Sequence, residues 1–235
     1  MKILIIGATS GMGRALAEFY AEKNQVIATG RRADLLGELA SCHRNITTVA
    51  MDITHEAETT KKLRQLWESM QQRDVAVVCA GVGELNPDLY HPVNAQTIQT
   101  NVVGWTSLVD HIYLEFQKQG FGHLVTVTSL NALRGEPAAP AYSASKAFQC
   151  NYTEALCKKS AKMKVPIHVT DIRPGLVQTA MAKGEGLFWV MPVDKVARQI
   201  MAAIARKSRI AIVTKRWKLA AFLFKHMPWW LYKRL

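Results

Sequence analysis

The segment that decides the fold reads Lys2-Ile-Leu-Ile-Ile6, then Gly7-Ala-Thr-Ser-Gly11-Met-Gly13, then Arg14 to Lys23. The first run is short and apolar, which is typical of a buried parallel strand. The third has apolar residues at helical spacing. A strand, a glycine-rich turn and a helix form the context of a dinucleotide-binding turn, because glycine lets the backbone approach a pyrophosphate that faces the helix N-terminus. A plain strand-to-helix turn is the alternative, since such a loop alone is a weak signal.

Further apolar runs alternate with helical patterns along the rest of the chain. The runs that predict strands are residues 25–29, 46–51, 74–79, 123–128, 165–172 and 210–214. Helices are expected between them, at residues 56–72, 94–103, 104–119, 141–163 and 193–205. This alternation predicts an α/β fold with a Rossmann-like, doubly wound parallel sheet of about seven strands. We expect one domain over residues 1–214 and a helical tail over residues 215–235.

A second segment carries chemistry: Ser129-Leu-Asn-Ala-Leu-Arg-Gly-Glu-Pro-Ala-Ala-Pro-Ala-Tyr142-Ser-Ala-Ser-Lys146. Ser129 follows a strand, and Tyr142 and Lys146 lie one turn apart on one helix face. A phenol has a pKa of about 10, and a neighbouring ammonium is expected to lower the pKa of Tyr142. With a serine hydroxyl to hold the substrate oxygen, this is an acid/base site for interconverting C=O and CH–OH. The hydride must come from a cofactor. An ordinary helical tyrosine and a solvated lysine are the alternative.

Taken together, these motifs resemble the short-chain dehydrogenase/reductase family. The family's Tyr-x-x-x-Lys falls on Tyr142 and Lys146, its serine on Ser129, and its Gly-x-x-x-Gly-x-Gly loop on residues 7–13. The resemblance extends over residues 1–214. It implies that Asn101 interrupts a helix and holds a water linked to the lysine, which completes a proton relay. It also implies a homodimer or homotetramer.

Cofactor preference is predicted from the end of the second strand, which reads Gly30-Arg31-Arg32. Proteins that bind NAD place an acid here, whereas an arginine suits a 2′-phosphate. We therefore expect NADP(H), with Arg31 as the main contact and Ser10 as a second; the alternative is that the arginines cap a solvated helix start. The resemblance implies cofactor contacts at Gly7, Thr9, Ser10, Gly11, Met12, Gly13, Arg31, Arg32, Asp52, Ile53, Ala80, Gly81, Tyr142, Lys146, Pro174, Gly175, Val177 and Thr179.

Several assignments near the cofactor and substrate segments stay open. Asp52 is assigned to the adenine amino group by resemblance, but it could instead cap the helix that begins near His55. The family's Asn-Asn-Ala-Gly is Val78-Cys79-Ala80-Gly81 here, so the bracing of that strand end is open. The segment over residues 181–191 is either an apolar lid or a surface loop. Substrate contacts are expected at Asn131, Leu187, Phe188 and Trp189.

The net charge of +12 is uneven, because residues 194–235 hold eleven Lys or Arg and one acid. That leaves +2 on the other residues. Basic and aromatic side chains in residues 215–235 suit a membrane interface, while packing on the chain's own domain or on a partner subunit is the alternative. Nucleic-acid binding ranks last, since the charge does not follow a groove-reading element.

No signal peptide or membrane-spanning run is visible, so a cytoplasmic protein is expected, with peripheral contact at the inner face of a membrane as a further option. The four cysteines predict free thiols, and no metal is expected. The resulting hypothesis is an NADP(H)-dependent oxidoreductase that interconverts a moderately hydrophobic carbonyl and a secondary alcohol. A non-catalytic NADP-binding sensor or scaffold is the alternative.

Overall fold

The computed structural model describes residues 1–69, 72–182 and 189–234. Its sheet has seven parallel strands in the order β3-β2-β1-β4-β5-β6-β7. The strands are β1 (Lys2–Ile6), β2 (Gln25–Gly30), β3 (Ile46–Ala50), β4 (Val75–Val78), β5 (Gly122–Val127), β6 (Ile167–Pro174) and β7 (Ile210–Val213). The predicted doubly wound α/β fold is confirmed.

The helices cover both faces of the sheet and continue into the tail. They are α1 (Gly11–Ala21), α2 (Ala33–Cys42), α3 (Glu56–Ser69), α4 (His91–Ile98), α5 (Trp105–Gln119), α6 (Pro140–Ala161), α7 (Val193–Ala205), α8 (Lys215–His226) and α9 (Trp229–Tyr232). A π-helical turn (Gln99–Gly104) joins α4 to α5, and a 3-10 turn (Leu130–Leu133) follows β5. In the part of the chain that the structure describes, no helix is long and apolar enough to cross a bilayer.

Two cores form because successive side chains of a strand point to opposite faces. On β1, Ile3 and Ile5 pack with α1, α2 and α7, whereas Leu4 and Ile6 pack with α3 and α5. All four side chains are at most 1% exposed. A strand buried on both faces has to be apolar throughout, which explains the uninterrupted run from which the strand was predicted.

The strand order places a crevice at one edge of the sheet. The chain runs outward from β1 to β2 and β3, and then returns to place β4 on the other side of β1. The loops that leave β1 and β4 therefore diverge above their carboxyl ends. In open α/β sheets this switch point is where ligands bind.

Most predicted boundaries agree with the structure to within about two residues, but two elements differ. The helix expected over residues 94–103 starts at His91 and changes to π-helical geometry at Gln99. The strand expected from residue 165 starts at Ile167, because Pro166 has no N–H to donate to the ladder. The predicted free thiols are confirmed for all four cysteines.

Candidate active site

The glycine loop closes tightly over the end of β1. Gly7 has a φ of +88°, and a Cβ on it would lie 2.7 Å from the backbone nitrogen of Ala80. A Cβ on Gly13 would lie 2.1 Å from the Gly7 carbonyl oxygen. Neither residue can carry a side chain here, so the loop's backbone and the N-terminus of α1 face the crevice together. This cradle fits a pyrophosphate.

Two arginines follow β2 at the rim of the crevice. The Arg32 guanidinium donates to the hydroxyls of Thr9 and Ser10, both at 2.8 Å. Arg31 is exposed, and its charge acts on Asp52. The sequence predicted Arg31 as the main phosphate contact, but the structure gives Arg32 the direct link to the glycine loop. Ser10 and both arginines line the same groove, and a 2′-phosphate at Ser10 would meet Arg32 directly.

A groove of about 740 Å³ joins these parts. Of the predicted cofactor residues, those that line it are Gly7, Thr9, Ser10, Gly11, Met12, Gly13, Arg31, Arg32, Asp52, Ile53, Ala80, Gly81 and Thr179. The described residues of the lining do not include Tyr142, Lys146, Pro174, Gly175 or Val177. Gly175 lies against the indole of Trp217, and Val177 forms a β-bridge with Met191. Their predicted cofactor contacts stay predictions.

The Asp52 carboxylate is held at the start of the α3 region. One oxygen accepts from the backbone N–H of Thr54 at 3.0 Å and from its hydroxyl at 2.8 Å. Desolvation acts to raise the pKa of Asp52, but these bonds lower it overall. The carboxylate also lines the groove, so the same residue can brace the turn and face a cofactor.

Ser129, Tyr142 and Lys146 meet where β5 and α6 come together. The Ser129 hydroxyl is close enough to the phenol of Tyr142 to act on its pKa. The ammonium of Lys146 lies 5.8 Å from the centroid of the tyrosine ring. The Ser129 hydroxyl also accepts from the backbone N–H of Asn131 at 3.1 Å, which places the predicted substrate residue Asn131 beside it. The three side chains therefore lie close together, as their spacing predicted; their acid/base role stays a prediction.

The pKa of the phenol differs from the expectation. Desolvation raises the pKa of Tyr142, and the interaction with Ser129 only partly offsets this. Burial also lowers the pKa of Lys146 to about 8. The ammonium donates to the Val127 carbonyl at 3.2 Å and to Gln149 at 2.9 Å. The direction of this shift is opposite to the expected lowering of the phenol pKa, because desolvation of the ring outweighs its interaction with Ser129.

Asn101 lies in the π-helical turn and is fully buried. Its carboxamide accepts from the Val82 N–H at 2.9 Å and donates to the Val82 carbonyl at 2.7 Å. It also donates to the hydroxyl of Ser145 at 3.0 Å. This bracket secures the chain just after β4. Val78 and Cys79 stand where the family has two asparagines, so the sequence left the bracing of this strand end open. The bracket at Asn101 supplies that bracing.

Gln149 links Asn101 to Lys146 through its carboxamide. Its Nε2 donates to the carbonyl of Asn101 at 2.9 Å, and its oxygen accepts from the lysine. Gln149 is fully buried. Gln149 was not predicted from the sequence, and the water implied at Asn101 stays a prediction. Its spacing, three residues beyond Lys146 on the same helix face, is the signal that could have revealed it.

Gly83 is a second residue that the sequence analysis missed. A Cβ on it would lie 2.8 Å from a ring carbon of Tyr142. The glycine lines the groove directly after the Asn101 bracket at Val82. The backbone after β4 thus forms a wall against which the ring of Tyr142 packs.

The segment near residues 181–191 is fixed at its base. Val177 pairs with Met191, and the Gln178 N–H donates to the Met191 carbonyl at 2.9 Å. The predicted substrate residues Leu187 and Phe188 lie outside the described residues. Trp189 is 43% exposed and meets Trp217 of α8 edge to face, with ring centroids 5.9 Å apart.

Comparisons with known proteins agree with this geometry. The family model for short chain dehydrogenases matches residues 1–187. The chain is 34% identical to the serine 3-dehydrogenase of Agrobacterium fabrum, over 75% of this chain and 72% of that one. It is 30% identical to a probable NADP-dependent dehydrogenase of Haemophilus influenzae, over 74% and 70% of the two chains.

A solved short-chain dehydrogenase from Burkholderia cenocepacia, in complex with NADP, superposes with a TM-score of 0.85. At 20% identity it covers 100% of this chain and 96% of its own. This likeness shows the fold. With the family match over residues 1–187, the chain belongs to the short-chain dehydrogenase family of oxidoreductases.

Proposed function

We propose that this protein is an NADP(H)-dependent reductase or dehydrogenase that interconverts a ketone or aldehyde and the corresponding alcohol. The observation that carries the proposal is that Ser129, Tyr142 and Lys146 lie together behind Gly81 and Gly83, two glycines that line the groove. The cofactor preference is supported by Ser10, Arg31 and Arg32 at the rim of the groove, and by the relatives and neighbours named for NADP.

In the reduction direction, Ser129 holds the carbonyl oxygen of the substrate beside the phenol of Tyr142. Desolvation keeps this phenol protonated, so it is the proton donor. A nicotinamide held in the groove would supply the hydride for the carbonyl carbon. The phenol of Tyr142 gives its proton to the carbonyl oxygen, which yields the alcohol. The resulting tyrosinate is stabilised by the Lys146 ammonium, and oxidation follows the same path in reverse.

Asn101 and Gln149 have positioning roles in this scheme. Asn101 fixes the wall that follows β4, and Gln149 fixes the Lys146 ammonium. Thr9 and Ser10 at the glycine loop, with the arginines beside them, would hold the adenosine end of the cofactor. A site whose groups are fixed before the substrate arrives loses less entropy at the reaction step.

The substrate that fits best is a moderately hydrophobic ketone or alcohol. Leu130 follows the catalytic Ser129 and packs with Trp217, and Trp189 meets Trp217 from the end of the 181–191 segment. A second candidate is a 3-hydroxy acid, which the 34% identity to a serine 3-dehydrogenase supports. A panel that contains L-serine together with aryl and alkyl ketones separates the two.

We further propose a homodimer or homotetramer assembled through α5 and α6. Val103, Leu114 and Phe148 are 46%, 50% and 37% exposed. The ring of Phe148 stacks on Tyr152, whose hydroxyl donates to Asp110 of α5. An apolar patch across two adjacent helices suits a self-complementary interface. Light scattering should show Phe148→Glu as a monomer, while the control Leu219→Glu on α8 keeps the wild-type mass; a wild-type monomer contradicts the proposal.

The test of the function is NADPH oxidation with the carbonyl panel and the reverse reaction with alcohols, on wild type and on Tyr142→Phe. We expect a loss in kcat of about 100-fold or more in the variant, with NADPH binding within about threefold of wild type. Tyr113→Phe is the matched control, since that buried hydroxyl also bonds a serine, Ser160, remote from the groove. Equal turnover by Tyr142→Phe refutes the scheme. Tight NADPH binding without turnover by wild type would favour the sensor or scaffold.

A further inference from the structure

The tail helices α8 and α9 are attached to the chain that carries the catalytic serine. Trp217 and Ala221 are buried against Leu130. The guanidinium of Arg134 donates to the Phe224 carbonyl at 2.8 Å and to the Met227 carbonyl, and the Tyr232 hydroxyl donates to the Gly135 carbonyl at 2.7 Å. One face of the tail therefore packs on its own domain, which was one of the two predicted alternatives.

The opposite face is apolar and open. The exposed large side chains of this outer face are Leu219 at 61%, Phe222 at 62%, Leu223 at 53%, Trp229 at 69% and Trp230 at 58%. They recur at helical spacing on α8 and continue onto α9. These side chains leave an apolar outer face that nothing in the described chain covers. Such a patch marks an interaction site.

Exposed cations border this outer face. They are Arg216, Lys218, Lys225, Lys233 and Arg234. The chain has no Asp or Glu after Asp194. An apolar surface framed by unneutralised cations matches an anionic bilayer, where aromatic rings lie at headgroup depth and the cations meet phosphate or carboxylate groups. A second copy of this chain would bring its own cations to the same place and be repelled.

We propose that the outer face of α8 and α9 docks on anionic lipid and sets the entrance of the active site at the bilayer surface. Trp217 connects the tail to the active-site entrance, because its indole contacts both Gly175 at the end of β6 and Trp189. If the proposed function holds, the substrate is an apolar carbonyl or alcohol that partitions into lipid. Such a substrate enters the groove from the membrane rather than from water.

The experiment is co-sedimentation of the full chain with phosphatidylcholine vesicles, with and without phosphatidylserine. Wild type should sediment with the anionic vesicles, and binding should weaken at high salt. Lys218→Glu with Lys225→Glu should weaken it by about 10-fold or more. The control, Lys61→Glu with Arg64→Glu on exposed positions of α3, makes the same change in net charge and should bind as wild type.

A second variant tests the apolar contribution. Phe222→Ser with Trp230→Ser changes two side chains that are more than half exposed, so the fold is retained, and vesicle binding should fall even at low salt. Wild type that ignores anionic vesicles, or equal losses in both charge variants, overturns the proposal. A change in oligomeric mass on Phe222→Ser with Trp230→Ser also overturns it and assigns the face to a partner subunit.

Turnover separates this proposal from the catalytic one. With a water-soluble carbonyl, Lys218→Glu with Lys225→Glu should keep the wild-type rate, while with a carbonyl dissolved in anionic vesicles it should be several-fold slower. Vesicle binding without turnover of any carbonyl would support the docking surface and refute the proposed function. Equal rates of wild type and the charge variant with the vesicle-dissolved carbonyl would refute the delivery of substrate from lipid.

Discussion

The ammonium of Lys146 and the carboxamide of Gln149 are joined by a 2.9 Å hydrogen bond in a fully enclosed place. The other end of the same carboxamide donates to the carbonyl of Asn101. A side chain thus connects the lysine to the asparagine, and the water that the family resemblance implies at Asn101 stays a prediction. Because a covalently attached group cannot exchange with solvent, the position of the ammonium is fixed by the fold itself.

Replacing Gln149 should therefore change the chemistry more than cofactor binding. In Gln149→Leu we expect kcat to fall by about 10-fold, since Lys146 loses an acceptor and the buried Asn101 carbonyl loses a donor. In Gln149→Glu the added carboxylate raises the pKa of Lys146 from its lowered value of about 8, so the pH profile of kcat moves to higher pH. Steady-state profiles measure both effects. An unmoved profile in Gln149→Glu contradicts the positioning role.

Gly83 should be intolerant of even one added methyl group. Its Cβ would lie 2.8 Å from the ring of Tyr142, so Gly83→Ala displaces the phenol from Ser129. Displacement of the phenol from Ser129 should lower kcat by about 100-fold with little change in NADPH affinity. The control is Gly37→Ala on α2, where a Cβ meets nothing within 4 Å and helix stability should rise by up to about 1 kcal/mol. Normal turnover by Gly83→Ala would refute the close contact.

The two arginines after β2 should separate NADPH from NADH. Arg31→Ala and Arg32→Ala each remove a cation from the groove lining, and we expect the KM for NADPH to rise by about 10-fold or more. The KM for NADH should change little, because NADH carries no 2′-phosphate. Exposed Arg44→Ala is the matched control. The larger effect is expected from Arg32, which already bonds the glycine loop. Equal rises for both cofactors would contradict the assignment.

Acid should destabilise the fold through His123 on β5. Burial, with the charges of His168 and Lys207, lowers its pKa to about 4, against about 6.5 in the unfolded chain. The unfolded state therefore binds the proton first. The stabilising contribution is complete above about pH 6.5 and falls by up to about 3 kcal/mol as the pH drops toward 4. Urea unfolding of wild type and of His123→Gln at about pH 7.5 and pH 5 measures this difference.

The glutamine variant should show a flatter pH dependence than wild type and can keep a hydrogen bond to Thr170, the present partner of the histidine at 2.8 Å. Exposed His55→Gln is the control and should follow wild type. Identical pH dependence in wild type and His123→Gln would show that other groups carry the acid sensitivity.

Local spacing made much of this site predictable. Tyr142 and Lys146 lie one turn apart on a helix, and the glycine loop joins a strand to the next helix, so neither needs distant contacts to be recognised. The Asn101 bracket at Val82 and the contact of Gly83 with Tyr142 depend on where β4 and α6 meet, which no local pattern encodes. The direction of the Tyr142 pKa shift was not predictable for the same reason, because burial is a property of the assembled fold.

The tail shows a different limit of sequence reasoning. Two alternatives were open for residues 215–235, membrane contact and packing on the domain. The structure has Trp217 buried and Phe222 exposed on the same helix, so one face packs and the other remains open. The alternatives were not exclusive, since a helix has more than one face.

The strand order has a consequence for the lifetime of the protein. Within the sheet, β1–β3 join β4–β7 only along the pairing of β1 with β4. A dinucleotide in the groove would contact the ends of β1, β2 and β4 and so stabilise the pairing of β1 with β4. Since a ligand at 100 times its Kd adds about 2.7 kcal/mol to the stability, resistance to proteolysis should follow the supply of cofactor. A cell short of the dinucleotide would then lose the enzyme as well as its activity.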